Sequence, residues 1–333
     1  MTPSPLRIVL PGGSGQVGRM LARFFQERGH FVTVLTRGPY TAPWQTVHWD
    51  GETIGPWVET LEGADVCINL AGRSVNCRYN AENRRRIYDS RIGTTRLLNR
   101  VIAGLAQPPR VWLNASTATI YRHATQGTSF DRPMDEATGE LGGHELISRT
   151  RHAPETWDFS IRVARDWETA FFETPTSRTR KVAMRSAIVF SPVPGNTFAI
   201  FLNLVRVGLG GTLGSGRQFV SWIHENDFAR AVEFLIEHEQ MDGPVNIAAP
   251  NPLPNWEFMQ AMRDAWEMPN GLPAPWPLLE IGSFLMRSES ELVLKSRRVV
   301  PGRLLQAGFL FEFRNWQEAA DDLVRQWLTR DND

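Results

Sequence analysis

Apolar residues change their spacing along this chain in a regular way. Leu6–Leu10 is a short continuous apolar run, and behind it Val17, Met20, Leu21, Phe24 and Phe25 recur every three to four positions. The first pattern predicts a strand and the second an amphipathic helix, which Gly29 closes in the usual C-terminal position. Phe31–Arg37 reads as a second strand, Val47–Asp50 as the end of a third, and Ile54–Glu62 as a brief helix. Asp65–Gly72 is uninterrupted enough for a strand buried on both faces. Ala81–Ala106 is a long helical segment ended by Pro108 and Pro109. Val111–Thr117 is a fifth strand, Phe159–Glu173 a helix with Trp167 and Phe171 on one face, and Lys181–Phe190 a sixth strand. Strands alternating with helices predict an α/β fold built on a doubly wound parallel sheet.

Periodicity lapses twice. Arg122–Thr156 is polar and reads as an extended loop or insertion, a length that is usually functional or mobile. After Ser191 come a helix over Phe198–Gly208, a glycine-rich loop into a short strand ending at His224, and an amphipathic helix over Glu225–His238. A short strand at Gly243–Ala249 and a helix from Asn255, a reasonable N-cap, to Trp266 follow. The proline-rich link LPAPWP then leads to a final helical stretch and to PGRLLQAGFLFEF. The expected division is a domain over 1–190 and a smaller C-terminal α/β lobe over 191–333, with Glu225–Ala249 the stretch suited to pack back on the first.

Composition narrows the classes. The 333 residues are 42% hydrophobic, enough for a substantial core. Formal charge is zero, so no nucleic acid or anionic membrane surface is expected as partner. No window approaches the ~18 apolar residues of a membrane span, and MTPSPLRIVL lacks the layout of a signal peptide. Cys67 and Cys77 form neither a disulfide framework nor a metal-ligand spacing, so the expectation is a reduced cytoplasmic protein without a metal. Lys181 and Lys295 are the only lysines, and arginine supplies 34 of the 36 basic residues. A catalytic lysine therefore has few candidates.

The chemistry concentrates in PGGSGQVG, where Gly12, Gly13, Gly15 and Gly18 separate the first strand from the first helix. Strand, glycine turn and helix form the start of a dinucleotide-binding βαβ unit, since glycines admit a pyrophosphate close to backbone and the helix start offers free N–H groups. A NAD site carries an acid at the end of the second strand, whereas this strand ends in Thr36 and Arg37. An arginine there can pair with a 2′-phosphate, which predicts NADP. The fourth strand delivers Asn69–Gly72, and the fifth Ser116 and Thr117, to the sheet edge where open α/β folds bind ligands.

Together with DSRIGTTRLL, RDWE, GLGGTLGSGRQFVSWIHENDFARA, GPVNIAAPNP and VVPGRLLQAGFLF, these stretches resemble the short-chain dehydrogenase/reductase superfamily. The branch resembled is the extended NAD-dependent epimerase/dehydratase one, and within it the atypical nucleoside-diphosphate-sugar-epimerase-like family. The resemblance runs from residue 8 to about 313. It implies a Rossmann-type NADP-binding domain and a substrate lobe. By motif, Gly12, Gly13, Ser14, Gly15, Gln16 and Val17 would meet the pyrophosphate, and Thr36 and Arg37 the 2′-phosphate. Leu70 and Ala71 would lie along the ribose, with Arg91 and Val189 near the nicotinamide.

The superfamily's proton transfer uses a tyrosine four residues before a lysine, which brings the phenol into range near neutrality. No such pair exists here, and on RDWE its positions fall at Ser160 and Ala164. Relatives commonly read S-A-x-G-Y-Y-G where this chain has Ser116-Thr117-Ala118-Thr119-Ile120-Tyr121-Arg122. Ser116, Tyr121 and His224 remain as catalytic candidates, and Gln218 and Trp222 as substrate contacts. Asp227 reads as a residue that fixes the lobe, and Trp222 equally as core. Two functions stay open: an NADP-dependent epimerase or oxidoreductase acting on a small polar or sugar-like substrate, or a non-catalytic NADP(H)-binding sensor or partner-binding protein. A homodimer is an open option.

Overall fold

The computed structural model describes residues 4–124, 131–143, 146–148, 151–152, 155–275 and 294–330. Seven strands form one parallel sheet: β1 (Arg7–Pro11), β2 (Phe31–Thr36), β3 (Gln45–His48), β4 (Val66–Asn69), β5 (Val111–Thr117), β8 (Arg180–Ser186) and β12 (Gly243–Ile247). Their order is β12-β8-β5-β4-β1-β2-β3, with every neighbouring pair parallel. The chain runs outward from β1 to β3 and returns to β4 on the other side of β1, so the order reverses between β1 and β4. This is the Rossmann arrangement, and a crevice opens at that reversal. The seventh strand lies beyond residue 190, so the large sheet draws on the C-terminal half of the chain.

All four residues of β4 are buried, and the last four of β1. Each therefore packs apolar side chains to both faces. Against one face lie α1 (Gln16–Glu27) and α5 (Glu225–Glu237), through Leu21, Phe25, Phe228 and Val232. Against the other lie α2 (Ala81–Gly104) and α3 (Glu155–Phe172), through Leu97, Leu98, Trp167 and Phe171. The brief helix expected at Ile54–Glu62 is a 3-10 turn over Pro56–Thr60.

The sixth strand divides at Ala187, whose N–H turns to Ile247 O at 3.0 Å. Beyond the break β9 (Ile188–Phe190) leaves the main sheet and pairs with β11 (Trp222–His224). Strands β10 (Phe219–Val220) and β13 (Leu253–Pro254) pair antiparallel nearby. With α4 (Thr197–Arg206), α6 (Asn255–Ala265) and α8 (Trp316–Arg330) they enclose a second core around Phe190, Phe258, Trp222 and Trp316. Asn255 is not the N-cap of α6. Pro254 holds that place, and Asn255 Oδ1 accepts from the Leu213 N–H at 2.9 Å, bracing the glycine-rich loop.

Two expectations over irregular stretches change. Part of the polar stretch 122–156 is fastened down: Met134 bridges Val299, and Glu136 accepts from the N–H groups of Asn246 (2.7 Å) and Arg303 (3.2 Å). Leu146–Ser148 and Arg151–His152 form a short antiparallel pair, β6 and β7. The helical stretch expected after LPAPWP falls largely outside the described residues. PGRLLQAG gives the single turn α7 (Gly302–Gln306). Helix α8 escaped the sequence reading, although Trp316, Ala319, Ala320, Leu323 and Trp327 carry its buried stripe. Among the described residues no helix is long and apolar enough to cross a membrane.

Asp227 ties α5 to the C-terminal segment. It is fully buried, and its carboxylate accepts from the N–H groups of Glu312 (2.9 Å) and Phe313 (2.8 Å) and from Arg230 Nη1 (2.7 Å). Asp227→Ala strands two backbone donors and is expected to cost about 2–4 kcal/mol. Urea denaturation reads this as a lower midpoint, and an unchanged midpoint refutes the fastening role.

Candidate functional site

The glycine turn is shaped by backbone meeting backbone. Gly12 has φ +74°, and a Cβ there would stand 2.6 Å from Ala71 Cα. A Cβ on Gly18 would stand 2.4 Å from Gly13 Cα, so α1 can start this close to the turn only without one. Gly15 differs. It has ordinary extended backbone (φ −71°), and a Cβ would meet nothing closer than Gly12 O at 3.8 Å. Its missing side chain leaves room that the protein itself does not fill. Gly15 is also the N-cap of α1 and makes no side-chain cap, and no acid stands in the first turn. The helix start therefore keeps unpaired donors and positive potential beside that room.

Neighbouring strands hold the turn. Gly12 N–H donates to Leu35 O at 3.0 Å and Leu70 N–H to Pro11 O at 2.8 Å. Asn69 Oδ1 accepts from Ala71 N–H at 3.1 Å, while its Nδ2 donates to Asn114 Oδ1 at 2.7 Å, so a buried amide pair sets the Leu70–Ala71 backbone against Gly12. Thr36 is buried and donates towards Ser14 Oγ (3.2 Å) and Gly38 O (3.3 Å), holding the turn from the side. Arg37 is exposed, and no hydrogen bond or ion pair holds it among the described residues. Gln16 differs from the rest, since its side chain reaches Pro194 O at 3.2 Å and leaves only its backbone facing the turn.

Beyond the turn lies a cavity of about 320 Å³. Val17, Leu70, Gly72 and Val189 line it on the side of the turn, and Arg91, Ser116, Phe159 and Ser160 further in. Ser116 is the last residue but one of β5, and its Oγ donates to Glu168 Oε1 at 2.6 Å. Glu168, on α3, is gripped at both oxygens by Arg185 of β8, Nε to Oε1 at 2.8 Å and Nη2 to Oε2 at 2.7 Å. Burial alone would lower the Arg185 pKa, but its bonds to Glu168 and that residue's charge outweigh burial and raise it. Ser160 and Ala164 both face the cavity, as the alignment on RDWE implies.

Residues 8–153 match the NAD dependent epimerase/dehydratase family, and residues 274–323 match a domain of unknown function, DUF1731. The chain is 30% identical over 323 residues to the bovine epimerase family protein SDR39U1, covering 96% of this chain and all of that one. The chain belongs to this epimerase family. It is also 29% identical to the epimerase family protein YfhF of Bacillus subtilis, over 96% of this chain and 98% of the relative. Among solved structures, human SDR39U1 isoform 2, crystallised with NADPH, superposes with a TM-score of 0.81 at 27% identity, covering 96% of this chain and 99% of that one.

Of the five catalytic and substrate candidates in this epimerase-family chain, four lie away from the cavity. Tyr121 is fully buried, with its OH donating to Asn246 Oδ1 (2.9 Å) and accepting from Arg185 Nη1 (2.9 Å). Those two bonds make the phenol a structural link, and burial raises its pKa. His224 is fully buried as N-cap of α5: Nδ1 accepts from Asn226 N–H at 3.1 Å, and Nε2 faces Asp322 at 3.2 Å. Gln218 is occupied in the glycine-rich loop, donating to Leu213 O at 2.7 Å. Trp222 belongs to the second core, 5.0 Å from Trp316. Neither lysine helps, because Lys181 serves Asn99, Phe171 and Thr174, and Lys295 donates to Trp157 O.

Sequence reasoning missed Glu168, Arg185 and Tyr79. The first two carried a signal: a lone acid on the apolar face of α3 and a lone base inside the apolar run VAMRSAIVF, of opposite sign. Tyr79, edge-on to Phe159 at 5.3 Å, lines the cavity from the loop after β4, which has no periodicity to announce it.

Burial holds the His224 pKa down at about 4, against 6.5 for a free imidazole. Because the folded value lies below the unfolded one, the stability tied to neutral His224 is full above pH 6.5 and is lost as pH falls towards 4. His224→Asn keeps a cap acceptor without the titration. The advantage of the native chain over this variant is expected to shrink by about 3 kcal/mol between pH 7 and pH 4. Urea denaturation at both pH values measures it, and a constant difference refutes the buried neutral imidazole.

Proposed function

We propose that this chain binds NADP(H) across the Gly12–Val17 turn and acts as an epimerase or oxidoreductase on a small polar or sugar-like molecule. One observation carries the reading: Val17, Leu70 and Val189, which would meet the pyrophosphate, the ribose and the nicotinamide in turn, line the same cavity as the Ser116 hydroxyl. The fit is specific. The uncapped start of α1 and the open space at Gly15 suit a pyrophosphate. Arg37, exposed at the end of β2, suits a 2′-phosphate, and the human relative was crystallised with NADPH. A cytoplasmic, reduced setting agrees with two free cysteines, one of them buried in β4.

When bound, the nicotinamide gives or takes hydride. The chain's own part is to hold and orient. Ser116 gives its proton to Glu168, so Oγ turns lone pairs to the cavity and can accept from a substrate hydroxyl. Arg185 balances the Glu168 charge and fixes its direction. Phe159, Trp167 and Val163 exclude water from the remaining wall. The second reading, a non-catalytic NADP(H) sensor, draws on one fact: among the described residues no lysine, histidine or carboxylate lines the cavity itself.

Two experiments test these readings. Gly15→Val is expected to weaken NADPH binding ten-fold or more at a stability cost of about 1 kcal/mol or less. Arg37→Ala is expected to lower the preference for NADPH over NADH at least ten-fold, roughly one lost charge-assisted pair. Native preference for NADH, or an unmoved ratio, removes the 2′-phosphate argument. Catalysis is read from NADPH consumption against carbonyls and quinones, with product analysis of nucleotide sugars for redox-neutral epimerisation. Tight NADPH binding with silence across that panel selects the sensor.

A further inference from the structure

The wall of the cavity has two unlike sides. Phe159, Val163 and Trp167 follow one another at four-residue spacing on α3, so they form one stripe. With Ile87 of α2 and with Tyr79 and Val75 of the loop after β4 they make a single apolar cluster, and all six line the cavity. Tyr79 and Phe159 meet edge to face, with ring centres 5.3 Å apart and planes at 70°. The Trp167 indole brings only its ring to this side, because its Nε1 donates to Thr95 Oγ1 at 2.9 Å. Ser160, also on α3, turns its proton back to Thr156 O at 3.2 Å. The opposite side is the end of β5 and the 3-10 turn Ala118–Ile120. There Ser116 spends its proton on Glu168 and offers lone pairs, and Thr117 Oγ1 accepts from the Thr119 N–H at 3.1 Å. Among the described residues the hydroxyls of Thr117 and Thr119 donate to nothing, which leaves two donors facing the cavity.

Charge and size narrow what fits. Among the described residues Arg91 is the only charged side chain on the wall, and it borders Gly72, beside the Ala71 backbone that packs on Gly12. That end belongs to the cofactor. A nucleotide sugar would bring a second diphosphate, and no further basic group meets it here. The glycine-rich loop of the second lobe does not extend the site, since no described residue between 208 and 224 lines the cavity. A volume of about 320 Å³ stands at the low end of the ~300–1,000 Å³ of small-molecule sites, and the cofactor end takes part of it. A sugar ring laid against the apolar side would leave hydroxyls without partners, each at a desolvation cost. A ring with one polar edge loses nothing there.

Resting on the reading of this cavity as the substrate site, and narrowing it, we propose that the substrate is an uncharged single-ring molecule with a carbonyl or hydroxyl group at one edge. Its ring lies on the apolar side. Its oxygen meets the end of β5, where a carbonyl accepts from Thr117 or Thr119 and an alcohol donates to Ser116. Calorimetry tests this with benzyl alcohol on the NADPH-loaded protein and benzaldehyde on the NADP⁺-loaded protein, pairings between which no hydride passes. Methyl glucoside, a ring covered with hydroxyls, and UDP-glucose are the comparisons, and every titration is repeated on the free protein. Both aromatic probes are expected to bind ten-fold or more tightly than either comparison. Val163→Phe fills the apolar side and is expected to weaken benzyl alcohol ten-fold or more while NADPH affinity stays. Thr119→Val removes a donor without changing volume, and is expected to weaken benzaldehyde about five-fold at an unchanged urea midpoint.

The proposal falls if methyl glucoside or UDP-glucose binds as tightly as the aromatic probes, or if neither aromatic probe binds. It falls if Val163→Phe, folded by its urea midpoint, binds benzyl alcohol as the native chain does. Should that variant fail to fold, Thr119→Val decides, and an unchanged benzaldehyde affinity refutes the polar edge. It falls equally if saturating NADPH abolishes the binding of benzyl alcohol seen on the free protein, since the cavity would then be the cofactor's alone. NADPH binding is measured separately by its own fluorescence. Its failure counts against the cofactor reading and leaves the comparison of probes on the free protein standing.

Discussion

A buried carboxylate gripped at both oxygens by an arginine sets the geometry on which the rest of this molecule depends. Glu168 and Arg185 join α3 to β8, and each extends the link. Through Ser116 it reaches β5, through Tyr121 the turn after β5, and through Asn246 the edge strand β12, whose Asn246 N–H is held in turn by Glu136. A buried ion pair contributes little net stability over an apolar packing of equal volume, whereas removing one partner costs about 3–5 kcal/mol. Its value here is positional. It fixes which way the Ser116 hydroxyl points, and it takes up the phenol of Tyr121.

That pair also explains what the sequence could and could not reveal. The glycine turn, the strands and α1 are legible because their causes are local: apolar spacing, a positive φ at Gly12, close approach at Gly18. Ser116 and Leu70 could be placed because strand ends in a parallel sheet share one edge, whereas Arg91, within α2, and Val189 could be placed only by the family resemblance. Tyr121 and His224 stand close to strand ends too, but position along a strand does not set the direction of a side chain that follows it. One is turned inward to meet Arg185 and the other to cap α5, each by a partner far away in sequence. Tyr79 entered the cavity through a loop, and α8 lay beyond the last motif. The seventh strand, Gly243–Ile247, reads as a short lobe strand until its partner β8 is known.

Electrostatics links these two levels. A chain with equal numbers of acids and bases has no field to advertise a ligand, so the informative charges are the ones left over after pairing. Arg37 is such a charge in solvent at the end of β2, and Arg91 is one inside the cavity. They stand at the two ends of the candidate site, one after β2 and one in the cavity. At the first end an exposed arginine costs little when unoccupied, so it suits a cofactor that comes and goes. At the second a desolvated one is costly unless a bound molecule answers its charge.

The missing tyrosine–lysine pair takes on a different meaning in that light. In the superfamily the lysine supplies the positive charge that makes a phenol usable near neutrality. This chain puts Ser160 and Ala164 in those places and keeps a positive charge in the same cavity, on α2 instead of α3. An arginine cannot exchange its own proton at pH 7. It can stabilise negative charge that develops on a bound oxygen, and that is an electrostatic contribution rather than a proton-transfer one. On the proposed reading a proton would travel by hydroxyls, and Ser116 is a cavity hydroxyl wired to a carboxylate, through Glu168.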